Sequence, residues 1–310
     1  MRIAHFSDLH VLDLEGVSPL RFLNKRLTGW ANLRFKRKAK HRTSYVRAVA
    51  REVRRAGVQH VAITGDLTNL ALETEFAAVR ALLEEEMGFS PRDVSVVPGN
   101  HDLYTRGARR SGRFAAFFHR YTECDLGVAV AAGGGRFPFV KLRGPTAIIG
   151  LSSAVPRPPF VASGVLGRAQ LGALGAALSH PEVRSRTPIV LVHHPVHNPP
   201  SRLKTFVEGL WDAAALEARL SHVREGLVLH GHLHARAQRP LATRAGRILS
   251  VGATSASLHH DEPHRMAGFN VYEVDDRSGD VRSVEAHVYD PEREGFAVRE
   301  VPERDAWLHR

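Results

Sequence analysis

The 310-residue sequence predicts an α/β fold with mixed sheets. Three observations lead there. Short β-type runs alternate with helical stretches through the first half, as in strands joined by crossover helices. The last 65 residues are strand-rich. Polar, chemistry-bearing motifs stand just past the ends of five predicted strands, where open α/β sheets place ligands. No internal repeat, low-complexity tract or linker interrupts the chain, so residues 1–310 read as one domain.

Arg2 to Ser7 reads as a short buried strand ending at Asp8-Leu9-His10. A helical stretch begins at Ser44, and Val58 to Thr64 is the second strand, ending at Gly65-Asp66. Leu72, Phe76, Val79 and Leu83 recur at helical spacing and predict an amphipathic helix over 70–86. Asp93 to Val97 is a third strand, ending at Pro98-Gly99-Asn100-His101-Asp102. Phe137 to Leu142 and Ala147 to Leu151 form a hairpin across Arg143-Gly144-Pro145, and Leu166 to Leu178 is a helix. Pro188 to Val192 ends at His193-His194-Pro195, and Leu227 to His230 ends at Gly231-His232-Leu233-His234. Ile248 to Gly252, Gly268 to Val274 and Val281 to Val288 complete the strands.

Composition narrows the class. Apolar residues make up 43% and charged residues 24%, enough to build a core and too apolar for general disorder. The single cysteine, Cys124, excludes an internal disulfide and a cysteine-based zinc site. Its neighbours Glu123 and Asp125 oppose a thiolate, so a bland packed thiol is expected. No apolar run approaches the ~20 residues of a membrane span. The start, MRIAHFSDLH, has no apolar signal core. The expected address is the cytoplasm, with peripheral attachment to the inner face of the membrane as an option.

The net charge of +11 is concentrated. Residues 21–55 carry 13 Lys or Arg against one acid, while the rest holds 30 basic against 31 acidic residues. A near-neutral body with one basic segment points to phosphate-rich partners. Within it, the insertion at about 20–42 sets Leu20, Leu23, Leu27 and Trp30 on one helical face. Arg21, Lys25, Arg26, Lys36, Arg37 and Lys38 surround them, a pattern suited to an anionic membrane surface. A solvated helix packed on the body is the plainer alternative.

The five motifs combine carboxylates, an amide and several imidazoles. That mixture suits Mn²⁺, Fe or Zn²⁺ and not Ca²⁺, which prefers oxygen ligands throughout. Asp-x-His and His-x-His at extended strand ends can turn two ligands toward one point. Seven donors exceed one tetrahedral site but suffice for two divalent ions sharing a carboxylate.

In order, SDLH, GDLTN, PGNHD, HHP and GHLH resemble the calcineurin-like metallophosphoesterases. The match runs from Asp8 to His234, about three quarters of the chain. The resemblance implies a double-sheet sandwich flanked by helices and a phosphoester hydrolase with two metals, Mn²⁺ first among them. It implies that Asp8, His10 and His234 hold one metal, that Asn100, His193 and His232 hold the other, and that Asp66 bridges them. His193 is preferred to His194 because the family ligand stands two residues before the proline. A hydroxide bridging the metals would attack phosphorus, with His101 protonating the leaving oxygen or stabilising the transition state. Asp102 joins His101 in the catalytic set.

Asn69, three residues after Asp66, either orients His101 or caps the following helix. His194 and His197 are candidates to touch phosphate or support the ligands. More loosely, the basic insertion resembles that of the UDP-diacylglucosamine pyrophosphatases, which implies a nucleotide-lipid pyrophosphate substrate at the membrane. The motif spacing also resembles bacterial cyclic-nucleotide phosphodiesterases and glycerophosphodiesterases. A nuclease is a further alternative; no nucleic-acid module is recognisable, so nucleic acid ranks below the other partners.

Overall fold

Two six-stranded sheets face each other in the computed structural model, which describes residues 1–22, 26–27, 40–304 and 307. The first sheet has strands β1 (Arg2–Phe6), β2 (His60–Ile63) and β3 (Val94–Val96), which run parallel. It continues antiparallel from β1 through β12 (Gly268–Val274), β13 (Val281–Asp290) and β14 (Gly295–Glu300). In the second sheet β7 (Thr146–Gly150), β8 (Thr187–Leu191), β9 (Glu225–His230) and β11 (Arg247–Gly252) are parallel. Antiparallel β6 (Phe139–Arg143) and β10 (Ala237–Ala242) close its two edges. A small hairpin, β4 (Val130–Ala132) with β5 (Gly135–Phe137), lies apart from both.

Strand alternation explains the layering. Ile148, Ile189, Leu227 and Leu229 turn inward and share one core with β1, β2 and β3. Their neighbours Ile149, Val190 and Val228 turn outward under helices α5 (Arg168–Ser179) and α8 (Ala213–Leu220). On the first sheet, α1 (Thr43–Arg55) contributes Val46, Val49 and Val53 to the shared core, and α2 (Glu73–Ala81) contributes Phe76 and Val79. This is the mixed α/β fold that the strand–helix alternation predicts, with the two sheets flanked by helices that the family resemblance implies. The parallel strands of both sheets bring their carboxyl ends to one edge.

Several elements depart from the sequence reading. The amphipathic run is a shorter α2 that continues as one wide, π-type turn over Leu82–Met87. Strands β4, β5, β10 and β14 and helices α3 (Arg106–Arg110), α4 (Arg113–Phe118), α6 (Pro181–Arg184) and α7 (Arg202–Glu208) were not anticipated. All are short or polar, without a long apolar period. Cys124 is half-buried and free, with Val140 N–H donating to its sulfur at 3.2 Å.

Of the basic insertion, Lys25, Trp30, Lys36, Arg37 and Lys38 lie outside the described residues. Arg21 is partly exposed and pairs with Glu73 at 2.5 Å. Arg26 corrects the membrane-facing reading. It is buried, and its guanidinium donates to the carbonyls of Leu70 at 2.7 Å and Ala71 at 3.2 Å. Ala71 has φ 53°, so this turn leaves carbonyls without a ladder partner, and the arginine satisfies them.

Glu75 satisfies the same turn from the other side. Its Oε2 accepts the N–H groups of Leu70 at 2.9 Å and Leu72 at 3.0 Å. Burial first, with backbone N–H groups opposing it and the Asp102 charge adding to it, pushes its carboxyl up to about 8. The folded state therefore keeps a proton that the unfolded chain sheds near pH ~4.5, and stability falls as pH rises toward about 8. Glu75→Gln keeps an accepting oxygen without the ionisation. Its melting temperature should gain on the parent by more than about 3 °C between about pH 5 and about pH 9, as read by calorimetry.

Candidate metal centre

The chain reaches the common edge through unusual backbone. Of the eight non-glycine residues with positive φ among those described, five are Asp8, His10, Asp66, His232 and His234. This left-handed conformation is strained for side chains with a Cβ and persists where surrounding contacts enforce it. It replaces the extended geometry expected for Asp-x-His and His-x-His: the motif residues turn together because the backbone leaves the strand. Two glycines permit the crowding. A Cβ on Gly99 would lie 2.2 Å from Asp66 Oδ1, and one on Gly231 would lie 2.4 Å from Asp8 Oδ2.

The donors converge. His234 Nε2 lies 3.1 Å from Asp8 Oδ1 and 3.1 Å from His10 Nε2. Asp66 Oδ2 lies 4.0 Å from His10 Nε2 and 3.5 Å from His193 Nε2, between the two groups. Asn100 Oδ1 is 3.2 Å from His193 Nε2. Three overlapping sets have ligand atoms mutually within 4.8 Å: Asp8, His10, His234; His10, Asp66, His101; and Asp8, Asp66, His193. His232 Nε2 donates to the Glu208 carbonyl at 2.9 Å, and its ring stands 5.2 Å from that of His193.

Charge suits a cation. Burial pushes Asp8 up, but His234 overrides it and holds the carboxyl low. Burial likewise opposes ionisation of Asp66, and His193 and His101 outweigh it, holding it well below the usual range. His10 is pushed well below its ordinary value by burial and then by His101, so it is a neutral imidazole, the form that can bind a metal. At His193 burial acts downward, but Asp66 overrides it and raises the ring to about 9.

The supporting residues differ from expectation in instructive ways. His101 donates from Nδ1 to the Asn69 carbonyl at 2.8 Å, and its ring stacks on Tyr104 at 5.4 Å. Asn69 thus orients His101 through its backbone, while its side-chain amide donates to the His10 carbonyl at 2.5 Å. It is not the helix cap, since α2 begins after Leu72.

Asp102 is a positioning residue and not a catalytic one. Its carboxylate accepts Gly99 N–H at 2.9 Å, Thr68 N–H and Thr68 Oγ at 3.0 Å, and Leu67 N–H at 3.2 Å. It clamps the Asp66 loop to the Asn100 loop. Burial and then the Asp66 charge raise it to about 7.

His194 is also fully engaged. Ser153 Oγ meets its Nδ1 at 2.7 Å, and its Nε2 donates to the Ala162 carbonyl at 2.7 Å. Burial, then the charge of His193, lowers it to about 3, so it is a neutral ring with both nitrogens engaged inside the protein. His197 packs against His230 at 6.0 Å, in a layer behind the site.

Sequence reasoning missed His41. Its ring lies 5.1 Å from His10 and 5.7 Å from His234, with Nδ1 2.8 Å from Ser257 Oγ. Only its placement just before α1 brings it there, and no motif spacing marks it. His5 and His230 belong to none of the five motifs; both are buried neutral rings, lowered to about 3 chiefly by burial.

Comparison with known proteins now adds to this geometry. A family model described as calcineurin-like phosphoesterase matches residues 1–236. The chain belongs to that family. It is therefore a metal-dependent phosphoester hydrolase, and its donor set serves two divalent ions. No curated protein matches the sequence. A dimetal phosphatase from Danio rerio shares the fold, with TM-score 0.56, 15% identity, and 98% of this chain and 99% of that one covered. A purple acid phosphatase from yellow lupin seeds (Lupinus luteus) gives 0.55 and 13%, covering 91% of this chain and 52% of that one.

The residues of this phosphoesterase fit two ions on physical grounds. Two imidazole nitrogens 3.1 Å apart beside an ionised carboxylate repel one another unless a cation or proton lies between them. Removing the Asp102 clamp should loosen the loops without removing a ligand. Asp102→Asn places an amide N–H against backbone N–H donors and should lower stability by about 1–3 kcal/mol. Calorimetry checks this, and metal analysis of the dialysed variant should show reduced occupancy.

Proposed function

We propose that this phosphoesterase hydrolyses a nucleotide-lipid pyrophosphate, of the UDP-diacylglucosamine kind, at an anionic membrane surface, with Mn²⁺ as its metal. Asp8, His10 and His234 would hold one ion and Asn100, His193 and His232 the other, with Asp66 shared. The bound ions supply Lewis acidity and an activated water. The chain's own part is to fix phosphorus between the two donor groups and to protonate the leaving oxygen from His101, whose Nδ1 is anchored on Asn69.

The observation that carries the membrane reading is where apolar surface is left uncovered. Eight large apolar side chains are exposed among the described residues, and seven follow β1, β7 or β8 at the edge bearing the metal ligands. They are Leu12, Leu20, Leu27, Phe160, Leu203, Phe206 and Trp211. Phe160 is 90% exposed and Leu203 73%. The link to the site is short: Ala162 accepts from His194, and Glu208 accepts from His232. Arg157, stacked 3.6 Å over Trp211, and Arg202 and Lys204 on α7 add positive charge. Apolar tips among cations are what an anionic bilayer surface binds. This support comes from loops other than most of the basic insertion. No helix among the described residues is long and apolar enough to cross a membrane.

The test is a substrate panel with Mn²⁺-loaded protein: UDP-diacylglucosamine in detergent, 3′,5′-cyclic AMP, bis-p-nitrophenyl phosphate and single-stranded DNA. Release of UMP from the lipid should be at least about 100-fold more efficient, in kcat/KM, than any other turnover. Sedimentation with anionic vesicles should be lost at high salt. Fast cyclic AMP cleavage with slow lipid turnover would replace the lipid reading with a diffusible phosphodiester substrate. Asp66→Ala should abolish hydrolysis of every panel member.

A further inference from the structure

A second cationic feature lies outside the metal centre. Arg106, Arg109 and Arg110 stand on α3, at positions i, i+3 and i+4, so they share one face of its turn. Arg136 on β5 meets them across a cleft of about 690 Å³. Gly133, Gly134 and Pro156 complete its walls. No carboxylate lines the cleft, and none of the four arginines is in an ion pair among the described residues. Like charges at helical spacing repel, so this grouping is locally unfavourable without a counter-charge.

The cleft is built rather than incidental. Thr105 caps α3 by accepting Ala108 N–H at 3.1 Å, and Ala108 is buried. Arg136 is held by the Ala129 carbonyl at 2.8 Å, which leaves most of its N–H fork unused. Gly133 has φ 54° and sits where a Cβ would strike Ser152 Oγ. That hydroxyl is buried behind Gly133 and has no hydrogen-bond partner among the described residues.

We propose that this cleft binds a diphosphate-bearing anion at a site separate from the metal centre. Four guanidinium forks match two phosphoryl groups, each taken by paired N–H donors. The volume suits a small ligand rather than a polymer, since ligand clefts run to about 300–1,000 Å³. The cleft is coupled to catalysis through its walls. Leu103, which packs under Gly134, and Tyr104, which stacks on His101, precede α3 directly. Ser152 precedes Ser153, the partner of His194. The diphosphate belongs either to a free ligand that acts on the His101 loop or to a substrate whose diphosphate is separate from its scissile ester, which would replace the nucleotide-lipid pyrophosphate reading.

Calorimetric titration of the full-length, metal-loaded protein with methylene diphosphonate tests this. Two binding events are expected, one at the metals and one in the cleft. Arg109→Glu with Arg110→Glu should weaken the cleft event by at least about tenfold and leave the metal event unchanged. Arg136→Gln, a milder change at an exposed position, should weaken the same event. Asp66→Ala should lose the metal event and keep the cleft event, so failure of the catalytic reading is seen separately. If the arginine variants bind as the parent does, the proposal is wrong. Tighter binding of a single-stranded oligonucleotide than of the diphosphonate, lost in the same variants, would also overturn it.

Kinetics then separate the sources. A KM rise of about tenfold for an ester that carries a diphosphate apart from its scissile phosphate, with kcat on bis-p-nitrophenyl phosphate unchanged, assigns the cleft to the substrate. Unchanged KM values with the cleft event lost assign it to a free diphosphate ligand.

Discussion

Bringing two buried carboxylates and a ring of imidazoles within a few ångströms of one another is the constraint the rest of the structure obeys. Asp8 and Asp66 are buried and kept ionised by the imidazoles facing them. Burial alone would neutralise them, so the surrounding histidines and N–H groups must be fixed in place. The fixing begins in the backbone. Left-handed residues end the strands abruptly, and Gly99 and Gly231 admit contacts that no Cβ would allow. The strain is held by hydrogen bonds from both sheets: His193 Nδ1 to the Thr64 carbonyl at 2.7 Å and Ser255 Oγ to the Asp8 carbonyl at 2.6 Å. The sandwich exists at this edge as a clamp on the two donor groups.

Nineteen histidines in one chain serve different ends, and environment sorts them. His10, His193 and His234 face carboxylates and each other. His5, His194 and His230 lie behind them with burial holding them neutral. His5 shows why such a layer is useful. One nitrogen meets Tyr272 Oη and the other Thr64 Oγ1, both at 2.9 Å, so a polar ring packs rigidly under the ligands without adding charge. A charged residue there would compete with a cation, and an apolar one would leave Tyr272 and Thr64 without these partners.

The fold's principal strands and the ligand motifs were legible because each announces itself locally. An apolar run such as Arg2–Phe6 reads as a buried strand, and the Asp-x-His after it gains meaning from the four further motifs that follow in order. The edge strands were not, because β10 and β14 are partly exposed and carry polar or charged side chains that blur alternation. His41 was invisible for a different reason: its ring is near His10 only through tertiary contact. Asp102 misled in the opposite direction. It follows His101 in the motif and is a carboxylate, yet every hydrogen bond it makes goes to the loops that carry Asp66 and Asn100. Adjacency in sequence shows which loop a residue serves and not whether it touches substrate.

Arg26 carries the same lesson into the charge pattern. A guanidinium in a basic run reads as surface charge seeking an anion, yet this one is buried against Leu70 and Ala71. The turn it completes is satisfied from several directions. Glu75 accepts its N–H groups, Arg113 donates to the Ala71 carbonyl at 3.1 Å, and the Asn69 carbonyl holds His101. With Asn69 also donating to the His10 carbonyl, this turn joins the loop of His10 to that of His101. Part of the insertion's positive charge is thus spent inside the protein, shaping the active-site floor. Net charge over a segment counts such residues with the solvent-facing ones, and only the burial of each guanidinium separates those that build the site from those free to meet a partner.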